Sequence, residues 1–466
     1  MSLKSDVWQT YFLLAYVAPE AITESMIDPL IPYMIRTFSV DVAPDQLEAA
    51  VGGRAGLMGG MFYLPLLIMN ILWGTLSDIV GRKPILIIGL FFSALTTFLL
   101  GINTSSFAFA LVCRFLAGVF GSNSTVAKGA LGEIHLDEKG RSWAYSLYGS
   151  LYAFSGIVGP LIGGVLVSSG TEDAPLRYPY FKACALGAGL CVLALPITHV
   201  YFFEPKELRH AKLEDMPSSP TSKSLLVRDL FSVKGLMQLW GSLKEPMTGK
   251  VMFPIFLYVL IAFCNRAWTT LLPLLFSAKH DLGGLAFTAF DTSFAMTVMA
   301  CCKLFFQTTI CQAIVTRFGM NGSYCLGMAV IIPACALLVC WVDLAGMDGV
   351  MLGFAVHGSV WVCEAIVYLS VIMMISDSVS PSGLGAAHGL SATCAAASRV
   401  IAPPLVGYVW EYVAVRARMP WTAFFVVQVA AVGAILFARW GNKEEAGEKG
   451  VYRRVREDVE MRSLDE

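Results

Sequence analysis

Trp73-Gly74-Thr75-Leu76-Ser77-Asp78-Ile79-Val80-Gly81-Arg82-Lys83-Pro84 is the stretch whose reading decides the fold. It stands between two apolar runs, Met58–Leu72 and Ile85–Leu100. With its flanks, each run is long enough to cross a hydrocarbon core of roughly 30 Å. The link carries Asp78, Arg82 and Lys83 and is too polar to lie in lipid. Pro84 gives up a backbone N–H that the first turn of a helix does not use. Gly74 and Gly81 allow backbones to approach closely. The stretch therefore reads as a charged hairpin between two membrane helices.

Outward from it, the whole chain has the same character. Of 466 residues, 56% are hydrophobic and 14% charged, and mean hydropathy is +0.66. A soluble chain would carry roughly a quarter charged residues, so the composition points to a polytopic membrane protein. Apolar spans fall at 8–34, 52–75, 84–102, 106–132, 143–168 and 179–203, and then at 251–276, 286–314, 322–342, 349–375, 385–412 and 420–440. The expected fold is all-α, twelve transmembrane helices in two pseudo-repeated six-helix bundles. Residues 1–203 would form one bundle and 251–440 the other; 204–250 would be a cytoplasmic linker and 441–466 a charged cytoplasmic tail. The segment Ser155-Gly156-Ile157-Val158-Gly159-Pro160-Leu161-Ile162-Gly163-Gly164 lines up with Ser398-Arg399-Val400-Ile401-Ala402-Pro403-Pro404-Leu405-Val406-Gly407. Such internal duplication is expected of carriers built from two repeats.

Lys and Arg favour one side: the 2–3 loop, Lys139 and Arg141, the linker, Arg317 and the tail. That places both termini in the cytoplasm. Arg36, Arg54, Arg177 and Lys279 run against the bias. The sequon Asn103-Thr104-Ser105 lies so near the membrane that it is expected to be unused. The twelve cysteines lie in apolar runs with no C-x-x-C, and no His/Cys/carboxylate cluster has metal-ligand spacing. No metal, cofactor, nucleic-acid partner or enzymatic constellation is expected.

Function is carried by charges inside the spans. Glu20, Glu24 and Asp28 recur every four residues, on one helical face. Glu20 lies roughly 18 Å into its span, near the membrane middle. An isolated carboxylate there readily takes a proton. The stripe reads as a proton- and solute-binding surface, or alternatively as salt-bridged structural acids. Asp28, before Pro29, reads as a solvated rim charge. Arg114, Arg266, Lys303 and Arg399 lie at depth, with Glu364 in span ten. Intramembrane charges face a cavity or a partner. Lys303 has no partner near it in sequence and reads as a contact for an anionic group; Arg266, Glu364 and Arg399 complete the candidate solute site. His357 and His388 read as packing residues.

The hairpin resembles the G-x-L-x-D-x-x-G-R-K-P loop of the major facilitator superfamily. Arg114-Phe115-Leu116-Ala117-Gly118 resembles its R-x-x-x-G pattern in the fourth helix. Gly159-Pro160-Leu161-Ile162-Gly163-Gly164 resembles its G-P-x-x-G-G antiporter motif. With Glu20, Pro29, Pro32, Leu282-Gly283-Gly284-Leu285 and Gly389-Leu390 the pattern looks like the zinc-induced-facilitator-like or drug:proton antiporter branch. The cysteine-rich N-terminal motif of the plant members is absent, and the second-half loop Thr316-Arg317-Phe318-Gly319-Met320-Asn321 keeps only a remnant. The resemblance implies alternating access, exchange of a small solute for protons through Glu20, Glu24 and Arg114, and a switch formed by Gly74, Asp78, Gly81, Arg82, Lys83, Gly159, Pro160, Gly163 and Gly164. Asp78 would face the positive end of the eleventh helix. A vacuolar or plasma membrane and a monomer are expected. The alternatives are a uniporter or proton symporter for a nutrient, or a solute receptor without flux.

Overall fold

A computed structural model describes residues 5–43, 46–135, 138–167, 178–204, 249–282, 284–343, 347–378, 384–415 and 420–441. The expected linker and tail lie almost wholly outside the described residues. Span one is Asp6–Ile27, the 3₁₀ turn Asp28–Leu30 and Ile31–Phe38. Spans two to six are Leu47–Val80, Arg82–Ile102, the broken pair Phe107–Phe120 and Asn123–Ile134, Glu138–Val167 and Phe181–Tyr201. Spans seven to eleven are Gly249–Ser277, Ala289–Thr309, Cys311–Asp343, Met347–Asp377 and Leu384–Val409, and the twelfth is Thr422–Gly441. Among the described residues, spans two to twelve are the eleven long and apolar enough to cross a bilayer. Span one, diluted by Glu20, Glu24 and Asp28, is not among them, although it packs inside the first half.

Each half packs on itself: three against six and one against five in the first half, nine against ten and seven against eleven in the second. The halves meet mainly where span two lies on eleven and five on eight. The first seam is a glycine stripe that the sequence reading did not single out. A Cβ on Gly52, Gly56 or Gly60 would run into backbone atoms of Gly407, Pro403 or Val400. Small residues four apart let two membrane helices touch backbone to backbone. The second seam explains the Gly159–Gly164 motif. Gly159 and Gly163 lie on Ile22, Ser25 and Met26 of span one, while Gly164 lies on Ser293 of span eight. Tyr33 Oη adds a hydrogen bond to the Phe287 carbonyl, 2.7 Å, and Arg36 one to the Ser277 carbonyl, 3.1 Å. These contacts all lie toward the face away from the termini. Toward the terminal face, Gly149 and Gly156 of span five have open space beside them and Lys128 of span four is exposed. The contacts named between the halves thus gather on the face away from the termini.

The hairpin differs from its sequence reading. Span two stays helical through Val80, so Trp73–Val80 is its last turns and Gly81 alone reverses the chain, at φ 117°. A side chain there is strained by its Cβ. The break between spans eight and nine falls at Gly319, φ 71°, between the expected bounds 314 and 322. Residues 311–318 continue span eight, since the Ile310 N–H bonds the Phe306 carbonyl and the Ile314 N–H that of Ile310, and span nine proper follows Gly319. Among the described residues, Gly81 and Gly319 are the glycines with positive φ, and they occupy equivalent loops of the two halves.

Candidate functional site

Span one presents its carboxylates to three different settings. Glu20 Oε1 accepts from Ser93 Oγ of span three at 3.2 Å. Its Oε2 and Nδ2 of the neighbouring Asn123 are both buried, close enough to interact but without the geometry of a full hydrogen bond. Asn123 sits against Gly89, where a Cβ would have no room. Tyr148 and Tyr152, hydroxyls 3.1 Å apart, stand near the same carboxylate.

Four residues on, Glu24 accepts from Tyr63 Oη of span two at 3.1 Å. One further turn on, Asp28 is bidentate with Arg266 of span seven, at 2.9 and 3.2 Å. Asp28 is therefore not a solvated rim charge. Its side chain is 22% exposed and forms an ion pair between the two halves. The 3₁₀ turn that Pro29 opens carries it toward span seven.

Tyr63 is the hub of this region. Its ring centroid lies 5.0 Å from the Arg266 guanidinium and 5.9 Å from that of Arg399. Arg114, buried, lies 4.7 Å from the neighbouring Phe62 ring, and its Nη2 has no partner. Two guanidinium groups, Arg114 and Arg266, thus stand near the carboxylates Glu24 and Asp28, and a third, Arg399, lies by the Tyr63 ring. A void of about 20 Å³ touches Asp28, Gly59 and Arg266, room for about one water.

In the second half, Lys303 Nζ lies 3.3 Å from Glu364 Oε1, and Asn265 donates to the same oxygen. Lys303 therefore has an acidic partner, distant in sequence, that the reading of the chain did not supply. Trp361 lies beside Lys303 at 5.7 Å, with its Nε1 buried and unbonded.

At the terminal face Arg82 is buried, not solvated. It pairs with Glu133 of span four at 2.7 Å and donates to Ser77. The carboxylate of Glu204, just past span six, accepts from the backbone N–H groups of Arg82 (2.7 Å) and Lys83 (3.1 Å). An anion at a helix N-terminus is favoured by its free donors and dipole. Trp73 Nε1 donates to the Val119 carbonyl at 2.7 Å, and Gly74 faces Thr125. Asp78 lies on the last turn of span two, with its side chain outside the described residues. Glu133, Glu204, Tyr63 and Lys128 were not singled out from the sequence; each is isolated there, and only packing makes it a partner.

Two six-helix halves, joined toward one face with charges held between their helices, define the class as a polytopic membrane carrier. Residues 13–403 match the model of the Major Facilitator Superfamily, and the chain belongs to that family of transporters, which are not enzymes. It is 24% identical to Protein ZINC INDUCED FACILITATOR-LIKE 1 of Arabidopsis thaliana, over 92% of this chain and 90% of that one. It is 23% identical to the class H tetracycline resistance protein of Pasteurella multocida, over 91% and 93%. Its fold matches the crystal structure of a bacterial homologue of the human lysosomal transporter Spinster, in an inward-facing and occupied conformation, with a TM-score of 0.68 at 12% identity, over 95% and 98%.

Proposed function

We propose that the chain is a secondary active transporter that moves a small organic solute by alternating access, in exchange for protons. The observation that carries this reading is the Glu20 carboxylate. It stands inside the membrane with one oxygen buried beside Asn123 short of a full hydrogen bond and, among the described residues, no cation paired with it. Such a group is stable when protonated and costly when charged, as a proton carrier must be in one state of its cycle. Glu24 and Arg114 would pass the effect of protonation toward the cleft; Arg266, Lys303, Glu364 and Arg399 would contact the solute. Asp78, the glycines and Pro160 would govern the switch. Residues 1–203 and 251–440 would act as the moving halves, with 204–250 and 441–466 cytoplasmic. A monomer in a vacuolar or plasma membrane suits this reading.

The test is proton movement in sealed proteoliposomes under an imposed gradient, with and without added solute. Solute-dependent proton flux lost in Glu20→Gln is the expected result. Flux of solute without proton movement would return Glu20 to a structural role. A second reading, cotransport of solute and proton, is favoured by the excess of guanidinium over carboxylate around Tyr63. Protonating Glu24 would raise that excess and draw an anion in rather than expel it.

A further inference from the structure

Arg399, half-buried, differs from the other two second-half cations named above, Arg266 and Lys303. Arg266 is held by Asp28 and Lys303 by Glu364. Among the described residues no carboxylate lies within ion-pair distance of Arg399; its surroundings are the phenol rings of Tyr63, Tyr258 and Tyr368. Its charged neighbour is another cation. Lys128, from span four of the opposite half, is exposed, sits over the Tyr148 ring at 5.4 Å and lies within electrostatic reach of Arg399. Two like charges from opposite halves within reach of each other repel unless an anion stands between them.

We propose that Arg399 and Lys128 are the two sides of a carboxylate-binding site, and that the transported solute is an organic anion with a flat apolar body. This rests on the reading of the cleft as the solute pathway. The guanidinium fork takes a carboxylate in two parallel hydrogen bonds. Lys128 supplies a point charge from the other half. The ring of tyrosines packs an aromatic or planar apolar body, which the charged Lys303–Glu364 pair beyond it would not. Because the two cations belong to different halves, a bound anion removes the repulsion that opposes closure on the terminal face. Binding and closure are thereby linked without any further contact.

The test reads binding, not coupling. The purified full chain in detergent is melted alone and with benzoate, phenylacetate, benzamide or benzylamine, four probes of similar shape and different charge. The two carboxylates should raise the melting temperature, and the amide and amine should not. Arg399→Gln should weaken carboxylate binding by roughly tenfold to a hundredfold, the loss of a charge-assisted pair of hydrogen bonds. Arg399→Lys should retain part of it, and Lys128→Gln should weaken it without unfolding, since that side chain is exposed. Glu20→Gln should keep the full shift. Solute flux without proton movement in the wild type, beside an intact benzoate shift, therefore counts against proton coupling and leaves the anion site standing. Equal stabilisation by benzylamine or benzamide would overturn the site. So would no shift with either carboxylate, or an unchanged benzoate shift in Arg399→Gln that elutes as the wild type does.

Discussion

The Asp28–Arg266 pair should set which face of the carrier is closed. Both groups are largely buried, with side chains 22% and 10% exposed, and they bridge spans one and seven on the closed face. Removing one partner of a buried pair costs about 3–5 kcal/mol, because the other charge is left uncompensated. In the state open at that face both groups would be wet, where a pair contributes only about 0–1 kcal/mol. Glu24, one turn away, can neutralise part of the orphaned guanidinium. The difference between states is then roughly 2–4 kcal/mol, or a shift of roughly thirtyfold to several hundredfold toward opening of the far face. Spin labels at Val40→Cys and Lys279→Cys, in opposite halves on that face, would report it by pulsed electron resonance once the exposed Cys301 and Cys302 are replaced. Asp28→Asn should move weight to longer distances, and Asp28→Asn with Arg266→Gln should restore much of the short-distance population. A folded Asp28→Asn protein with the wild-type distance distribution and melting temperature would refute the assignment.

Gly56→Val places its Cβ on the Pro403 carbonyl and within 2.9 Å of Pro404 Cα. It should cost about 1–3 kcal/mol and shift the same spin-label distances outward. Gly81→Ala sets an L side chain at φ 117°, against the Glu204 carboxylate; its melting temperature should fall by the equivalent of about 1–2 kcal/mol. Gly319→Ala, with open space around it, should pay only the backbone strain and fall less. Glu204→Gln weakens the charged cap on span three and should cost about 0.3–1 kcal/mol, seen as a melting temperature less sensitive to salt than that of the wild type.

The architecture was legible because a membrane span is a composition, and composition survives without knowledge of packing. The stretch Trp73–Pro84 marked the turn, but its boundaries slipped: helix geometry continues wherever backbone hydrogen bonds can, and polar Ser77 and Asp78 do not end a helix that leaves the lipid. The acidic stripe on span one was legible from its period of four. What each acid does was not. Glu20 and Asp28 look alike in sequence, yet one meets Ser93 and lies beside Asn123 and the other meets Arg266. That difference is set by contacts 73 and 238 residues away. The partner of Lys303 was missed for the same reason, Glu364 lying two spans further on. The Gly52–Gly60 stripe was present in the sequence and passed over, because glycine in a membrane helix has meaning only once the facing helix is known.

The two halves repeat the turn but not its charges. In the first, Gly81 reverses the chain and Glu204, at the end of span six, holds the start of span three through the N–H groups of Arg82 and Lys83. In the second, Gly319 makes the corresponding turn, and Asn321 at the start of span nine donates to the carbonyl of Ala438, near the end of span twelve, at 3.3 Å. The last span of each half therefore ties down the helix that follows the turn, once with a carboxylate and once with a neutral amide. Where Asp78 stands three residues before Gly81, Thr316 stands three before Gly319; where Arg82 follows one, Met320 follows the other. A neutral tie is evidently sufficient to build the half-bundle, since the second half folds with one. The ionic network of Arg82, Glu133 and Glu204 thus exceeds what the fold requires. Buried ion pairs are poor sources of net stability compared with apolar packing, so stability is a weak account of why these charges sit here. Charged ties are sensitive to the approach or withdrawal of another charge in a way that an amide–carbonyl bond is not. The asymmetry places the charged tie in the half that also carries the acidic stripe, and the neutral tie in the other.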